Sequence, residues 1–544
     1  MSYTIIRLRG ILKETDAIFT SLPITETEHT CYLSNIFLLV ENIINDKSIT
    51  DVIIQCEEDF TCLAGQVEQL FNLFKRITVH GKTTYFFSKT YDEKALYLAA
   101  SCKKRLIAPT GTVAFLGFKK QFTFVKRLLD KYEIEADIIR RGKYKGAADM
   151  YRLDRIDDAQ KEAYSAIIEA TYETFIKTIT ASFDIDRKKF EEEILGNFVT
   201  PEKAKLEKLV TDIGYIEDLI LGFEKEKKKK HVFKKIPPYF GKGKRVAVLV
   251  FDGGIKDGSN QKDFLMGNKI GDNYFVKQID RLRKNKKIKS VILKVNSPGG
   301  SASASDTIAF SLLKLKEKKD LVVVQSAIAG SGGYYISFPG EKIFTQNTTI
   351  TGSIGVISLF LYIDRLYQRF GITHSVLKKG ENADIFSPLI KRSQSQLKLI
   401  EDEVDRIYKG FVENVAKNRA LTVEQVDEIA EGRVWSGLDA VKIKIADEIG
   451  DLHSAIDYLK EKHKTKNFKV EFFPKKKVSW LSRLLLSRKS EYIDIDDEEN
   501  EGGSISSLKD RLSYFEKVLK NLKSLESGKP LLLMPEIFIE NFLL

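Results

Sequence analysis

The sequence predicts an α/β protein built as a tandem duplication of one unit. Two observations carry this. Short β-branched runs alternate with helical stretches: VILKV (291–295) precedes SASDTIAFSLLKLKEK (303–318), and LVVVQSAI (321–328) precedes a glycine turn. Strand, turn and helix in alternation build a largely parallel sheet. The second observation is that the chain repeats itself in order. YTIIRLRGIL (3–12) matches VAVLVFDGGI (246–255), and NDKSITDVIIQC (45–56) matches KNKKIKSVILKV (284–295). YEIEADIIRRGKYKGA (132–147) matches FGITHSVLKKGENADI (370–385), each read as an apolar strand, two basic residues and a glycine. GNFVTPEKAKLEKLVTDIGYIEDLI (196–220) matches GRVWSGLDAVKIKIADEIGDLHSAI (432–456). The offset stays between 236 and 245 throughout, an order that chance similarity of apolar runs does not preserve.

The elements follow in turn. MSYTIIRLRGILKET has no signal-peptide core and reads as a first strand. Residues 1–222 form the first copy and 246–465 the second. Between them, KEKKKKHVFKKIPPYFGKGKR (225–245) holds ten Lys and Arg and two adjacent prolines, the composition of a solvated linker (223–245). Each copy then carries a long helix, at about 157–180 and about 393–419, with core-facing residues such as Leu397, Ile400, Val404, Ile407, Phe411 and Val415 at helical spacing. The tail, 466–544, holds SWLSRLLLSRK (479–489), apolar on one side and basic on the other, and then an acidic linker, DIDDEENEGGS (494–504). A helical pattern follows at 505–525, and the chain closes on PLLLMPEIFIENFLL, apolar enough to pack on a partner subunit.

Composition narrows the classes. The net charge is +12, but much of it sits in the linker. No basic-aromatic surface pattern appears, so nucleic acid is not an expected partner. The four cysteines, Cys31, Cys56, Cys62 and Cys102, form no CxxC pair and read as free thiols. No run of 18 apolar residues predicts a membrane-spanning helix.

Chemistry concentrates in the second copy. NSPGGSASASD (296–306) breaks a strand at Pro298 and exposes the backbone of Gly299 and Gly300, with serines to cap the next helix. Such N–H groups suit an oxyanion. In IAGSGGYYIS (328–337), Ser331 follows a strand and precedes a helix, with the Gly332 N–H beside it. A nucleophile on such a bend is a recurrent solution for acyl transfer. TGSIGV (351–356) adds a second hydroxyl, Ser353.

A nucleophilic serine needs a base. None of the six histidines lies in a glycine turn, and His374 reads as a sheet residue in GITHSVL. The repeat points elsewhere. Ser331 aligns with Glu93, and NSPGG with EEDFT (57–61), so the first copy lacks nucleophile and glycines. Conversely Lys145, in GKYKGA, aligns with Ala383. One copy keeps a serine and the other a lysine. A lysine is a competent base once burial lowers its pKa, and Arg140, Arg141 and Lys143 nearby are expected to push the same way.

NSPGGSASASD, SGGYYIS, TGSIGV and GRVWSGLDA (432–440), with GKYKG in the first half, closely resemble the signal peptide peptidase A family in its long, duplicated form, protease IV. The resemblance covers about residues 1 to 465. It implies a ClpP/crotonase-like fold in each copy and a serine–lysine endopeptidase acting on remnant signal peptides. By the same resemblance Ser331 is the nucleophile, Lys145 the base and Ser353 the hydroxyl that orients the lysine, with Gly299, Gly300 and Gly332 forming the oxyanion hole. No metal or cofactor is implied, and the assembly is expected to be a homotetramer. Long members of that family begin with a transmembrane anchor, which is absent here. Location therefore stays open between peripheral membrane attachment and the cytoplasm. Two rivals remain on sequence alone: an acyl-CoA enzyme of crotonase type, and a scaffold that acts by binding.

Overall fold

The computed structural model describes residues 1–16, 18, 30–233, 236–262, 268–475 and the backbone of 531–533. The predicted helix at 505–525, the amphipathic stretch 479–489 and the acidic linker lie outside the described residues.

The first copy contains β1 (Ser2–Leu8), α1 (Leu33–Asn45), β2 (Ile49–Cys56), α2 (Ala64–Val79), β3 (Thr83–Ser88), α3 (Glu93–Ala99), β4 (Lys104–Ile107), β5 (Glu135–Arg141) and the long helix α4 (Asp158–Phe183). The second contains β6 (Lys244–Asp252), α5 (Asp272–Lys284), β7 (Ile288–Ser297), β8 (Gly299–Ser301), α6 (Ala302–Lys316), β9 (Asp320–Gly330), β10 (Lys342–Thr345), β11 (Ile350–Gly352), β12 (Val356–Tyr362), the long helix α7 (Gln394–Arg419), β13 (Val434–Ser436) and β14 (Phe468–Phe473). A last strand, β15, is Leu531–Leu533.

The duplication is visible in the sheets. The first runs β1–β2–β3–β4 and closes on Asp212–Ile213, all parallel. The second runs β14–β6–β7–β9–β10 and closes on Glu448–Ile449, also all parallel. Helices cover both faces, so the strands read as continuous apolar runs such as Val246–Phe251, every residue of which is buried. The long helices are both 26 residues. Asp157 caps α4 by accepting the Gln160 N–H, and Ser393 with Gln396 forms a capping box on α7. Each ends on a left-handed residue, Asp184 at φ 53° and Ala420 at φ 53°.

Three expectations change. The linker is not wholly free: Lys229–Lys230 adds an edge to β1, and Tyr239–Phe240 pairs antiparallel with β14. The second copy does not stop at 465, because β14 lies in register against β6 from Lys244↔Phe468 to Leu249↔Phe473. The segment around His374 is not a strand. Residues 371–380 are exposed and outside any sheet, and His374 meets only the Asp364 carboxylate, 3.4 Å away. Its first-copy counterpart β5 is a strand because it pairs antiparallel with β12, from Val356↔Arg141 to Tyr362↔Glu135. The repeat supplies one such partner within the chain, not two.

The copies pack through α2. The Gly65 position has room for hydrogen only, since an added Cβ would stand 2.9 Å from the Ala327 Cα on β9. Gln69 Nε2 donates to Ser326 Oγ at 2.7 Å. Glu68, fully buried, accepts from Asn347 Nδ2 at 2.6 Å and from the Thr348 N–H at 2.7 Å, just before β11. Thus the first copy grips both strands that lead to Ser331 and Ser353. The cysteines are free, three buried and Cys31 half-buried. Among the described residues no helix is long and apolar enough to cross a membrane.

Candidate active site

Ser331 sits at the C-terminal end of β9, where the parallel sheet gives way to a short helix, Gly332–Tyr335. Its backbone is forced to φ 56°, ψ −114°, a conformation a non-glycine residue adopts only under constraint. The constraint is visible: its N–H donates to the Gly352 carbonyl at 2.8 Å and its carbonyl accepts the Tyr335 N–H at 2.8 Å. Ser353 stands beside it, at φ 52°, with its N–H on the Arg433 carbonyl at 2.7 Å.

Lys145 arrives from the other copy on the turn after β5. Its N–H bonds the Gly142 carbonyl at 3.1 Å, and the neighbouring Tyr144 N–H bonds the Glu431 carbonyl at 2.9 Å. Arg140 Nη1 donates to the Lys145 carbonyl at 3.3 Å, and Gln160 Nε2, from the first turn of α4, to the Tyr144 carbonyl at 2.5 Å. The turn is therefore held by three elements. It brings Lys145 Nζ to 2.5 Å from Ser331 Oγ, 3.0 Å from Ser353 Oγ and 2.8 Å from the Ser353 carbonyl. Both Lys145 and Ser331 are buried.

Burial holds the Lys145 amine well below the ordinary lysine range. Here the sequence expectation needs correction, since the neighbouring cations do not contribute. Arg140 is paired with Asp149 at 3.1 Å, Arg141 with Asp405, and Lys143 with Glu431 at 3.3 Å. Desolvation alone depresses the amine.

Gly299, Gly300 and Gly332 converge on the same point. A Cβ at Gly332 would lie 3.1 Å from the Gly299 Cα and 3.2 Å from the Gly300 N. Gly300 has φ 151°, and a Cβ there would strike the Ile255 carbonyl at 1.9 Å. The Gly299 N–H donates to Ser297 Oγ at 3.2 Å.

In the first copy the corresponding place is closed. Glu93 stands where Ser331 does, and its carboxylate accepts the Leu116 and Gly117 N–H groups at 2.7 and 3.0 Å. Ala383, the counterpart of Lys145, is exposed. Among the described residues no group of three or more His, Cys, Asp or Glu could hold a metal ion.

Two contributors had no assigned role in the sequence reading. Gly432, in the GRVWSGLDA motif, lies directly under the lysine. A Cβ there would meet Lys145 Cβ at 2.6 Å, and its φ is 76°. The Ser353 backbone carbonyl is the second oxygen ligand of the amine besides the serine hydroxyls. The signal for Gly432 was the motif itself, whose purpose appears only when the copies meet.

Residues 79–230 and 313–466 each match Peptidase family S49, one match in each copy and more than half of the chain together. The chain belongs to Peptidase family S49. Similar members include "Serine protease SPPA, chloroplastic" of Arabidopsis thaliana, 29% identical over 74% of this chain and 62% of that protein. "Protease 4" of Salmonella typhi is 27% identical over 79% of this chain and 72% of that one. "Putative signal peptide peptidase SppA" of Enterococcus faecium is 36% identical over 41% of this chain and 64% of that one. The match thus spans rather less than two thirds of the plant protein. Among solved structures, a mutant ClpP1 from Listeria monocytogenes overlaps 39% of this chain and 94% of its own at 17% identity, with a TM-score of 0.26, too low to carry weight. For this S49 member the tandem α/β architecture rests on the two family matches and on the two equivalent parallel sheets.

Proposed function

We propose that this chain is a serine endopeptidase in which Ser331 and Lys145 act as a dyad divided between the two copies. The observation that carries the reading is the 2.5 Å contact between a buried amine and a buried hydroxyl on a strained strand-to-helix bend. A neutral Lys145 takes the Ser331 proton as Oγ attacks the peptide carbonyl, then returns it to the departing amine. Water hydrolyses the ester by the same route. Ser353 accepts from the lysine through its carbonyl and fixes where the amine points. The Gly300 and Gly332 N–H groups face the developing oxyanion, whereas the Gly299 N–H is already engaged by Ser297.

The substrates we propose are remnant signal peptides or other short apolar peptides, the class named in the Enterococcus faecium relative. The acyl-CoA reading is less economical, because oxyanion glycines alone leave a desolvated lysine on a serine without a purpose. A homo-oligomer is supported by residues 371–380. Their first-copy counterpart is covered by β12, yet here Ile372, Val376 and Leu377 stand exposed, as a second copy of the chain would cover them.

The test is covalent labelling by a fluorophosphonate, read by intact mass, beside hydrolysis of an apolar peptide. Wild type is expected to label at Ser331 and to hydrolyse. Ser331→Ala and Lys145→Ala are each expected to lose activity by on the order of 10³-fold or more. Hydrolysis surviving in Ser331→Ala, or labelling undiminished in Lys145→Ala, sinks the dyad.

A further inference from the structure

The tail strand β15 occupies an informative place. Leu531–Leu533 pairs antiparallel with β8, in the register Gly299↔Leu533, Gly300↔Leu532 and Ser301↔Leu531. On its other side Leu531 pairs with Ile357 of β12. Its two neighbours are therefore the strand that carries the proposed oxyanion glycines and the strand that begins three residues after Ser353. An extended peptide added between two strand edges is held by main-chain hydrogen bonds, the mode by which a sheet receives a peptide ligand. The β8 edge has glycines at two of its three positions, so a peptide backbone approaches it without meeting a side chain. Nothing in a buried core requires a strand there. The parallel sheets of both copies are complete without it.

We infer that the protein processes its own tail: the segment at Leu531–Leu533 is bound as a peptide substrate, and the bond following Leu532 or Leu533 is cut. This rests on the dyad reading above. The register selects the bond, because Leu532 and Leu533 are the residues set opposite Gly300 and Gly299. The step is ordinary hydrolysis. Ser331 Oγ bonds to the carbonyl carbon as its proton passes to Lys145. The C–N bond breaks, the leaving amine takes that proton, and water then cleaves the ester to give a new carboxyl terminus. Water is the only co-reactant. Tethering places the segment at an effective concentration on the order of millimolar, so it competes with added peptides until it is cut.

The experiment follows the full 544-residue chain by intact mass. The wild type is expected to shorten by its last 12 or 11 residues, while Ser331→Ala keeps its full mass. Leu532→Pro, which removes a backbone donor from β15, is expected to slow the shortening by about tenfold or more while hydrolysis of an added peptide is retained or raised. A wild type that hydrolyses added peptides yet keeps its full mass, or is cut only at bonds remote from 532–533, overturns self-processing and leaves the dyad standing. Full mass with neither hydrolysis nor fluorophosphonate labelling overturns the dyad reading and this one together.

Discussion

Lys145 is the residue whose chemistry depends most on its surroundings. In water it would be charged at neutral pH and useless as a base. Buried, with its neighbouring cations each paired to a carboxylate, it is depressed by desolvation alone. The free enzyme should therefore gain kcat/KM as pH rises through a limb well below 10.5, where the amine loses its proton. A limb at the ordinary lysine value would count against the assignment. Lys145→Arg keeps a cation that does not deprotonate, and its activity is expected to match that of Lys145→Ala. At this scale much was legible. Ser331, Ser353 and the glycines stood out because strand-to-helix glycine turns are local, and Lys145 emerged from comparing the two copies. The source of its lowered pKa was not legible, since Asp149, Asp405 and Glu431 lie at different distances along the chain and pair with the arginines and Lys143 only after folding.

At the scale of elements, the site is a junction of strand ends and turns. β9 delivers Ser331, β11 delivers Ser353, the turn after β5 delivers Lys145, and Gly432 leaves space for it. Gly432→Ala puts a Cβ 2.6 Å from Lys145 Cβ at φ 76°. It is expected to cost about 10²-fold in kcat/KM by displacing the lysine, and about 1–2 kcal/mol of stability through the left-handed backbone. Gly410, inside α7 with nothing within 4 Å of an added Cβ, is the control. Its change to Ala is expected to leave activity intact and to raise stability by about 0.5–1 kcal/mol. Equal activity in the two variants, measured beside their denaturation midpoints, would contradict the positioning role. The strand expected around His374 shows why periodicity alone misleads here. The pattern of β5 is repeated at 373–379, but a strand forms only where a neighbouring edge accepts its hydrogen bonds.

At the scale of the whole molecule, the divided site makes the contact between copies part of the catalyst. That contact is polar where it matters. Glu14, from the first copy, pairs with Lys294 and accepts from Ser326 Oγ at 2.5 Å, and its N–H donates to Asp252 at 3.0 Å. Burial, aided by the Glu14 charge, raises the Asp252 carboxyl to about 6 from 3.8. The folded state then holds this proton more tightly than the unfolded chain, so stability falls as pH rises between about 4 and about 6. Asp252→Asn should flatten that slope in urea midpoints taken across the window, and an unchanged slope would exclude Asp252 as its source. For assembly, Leu377→Asp is expected to lower the oligomeric state in light scattering with the monomer fold retained. No change would remove residues 371–380 from the interface.

The sequence by itself determined the duplication, the α/β class, the nucleophile's turn and the complementary loss of serine and lysine between copies. These are written in local pattern and in repetition, which need no contact to be read. Only the tertiary structure decided that α2 grips β9, that β5 crosses to β12, that Gly432 makes room for Lys145, and that the tail lies along the glycine strand. Each of these pairs residues far apart in the chain, and no periodicity records which edge a strand will meet.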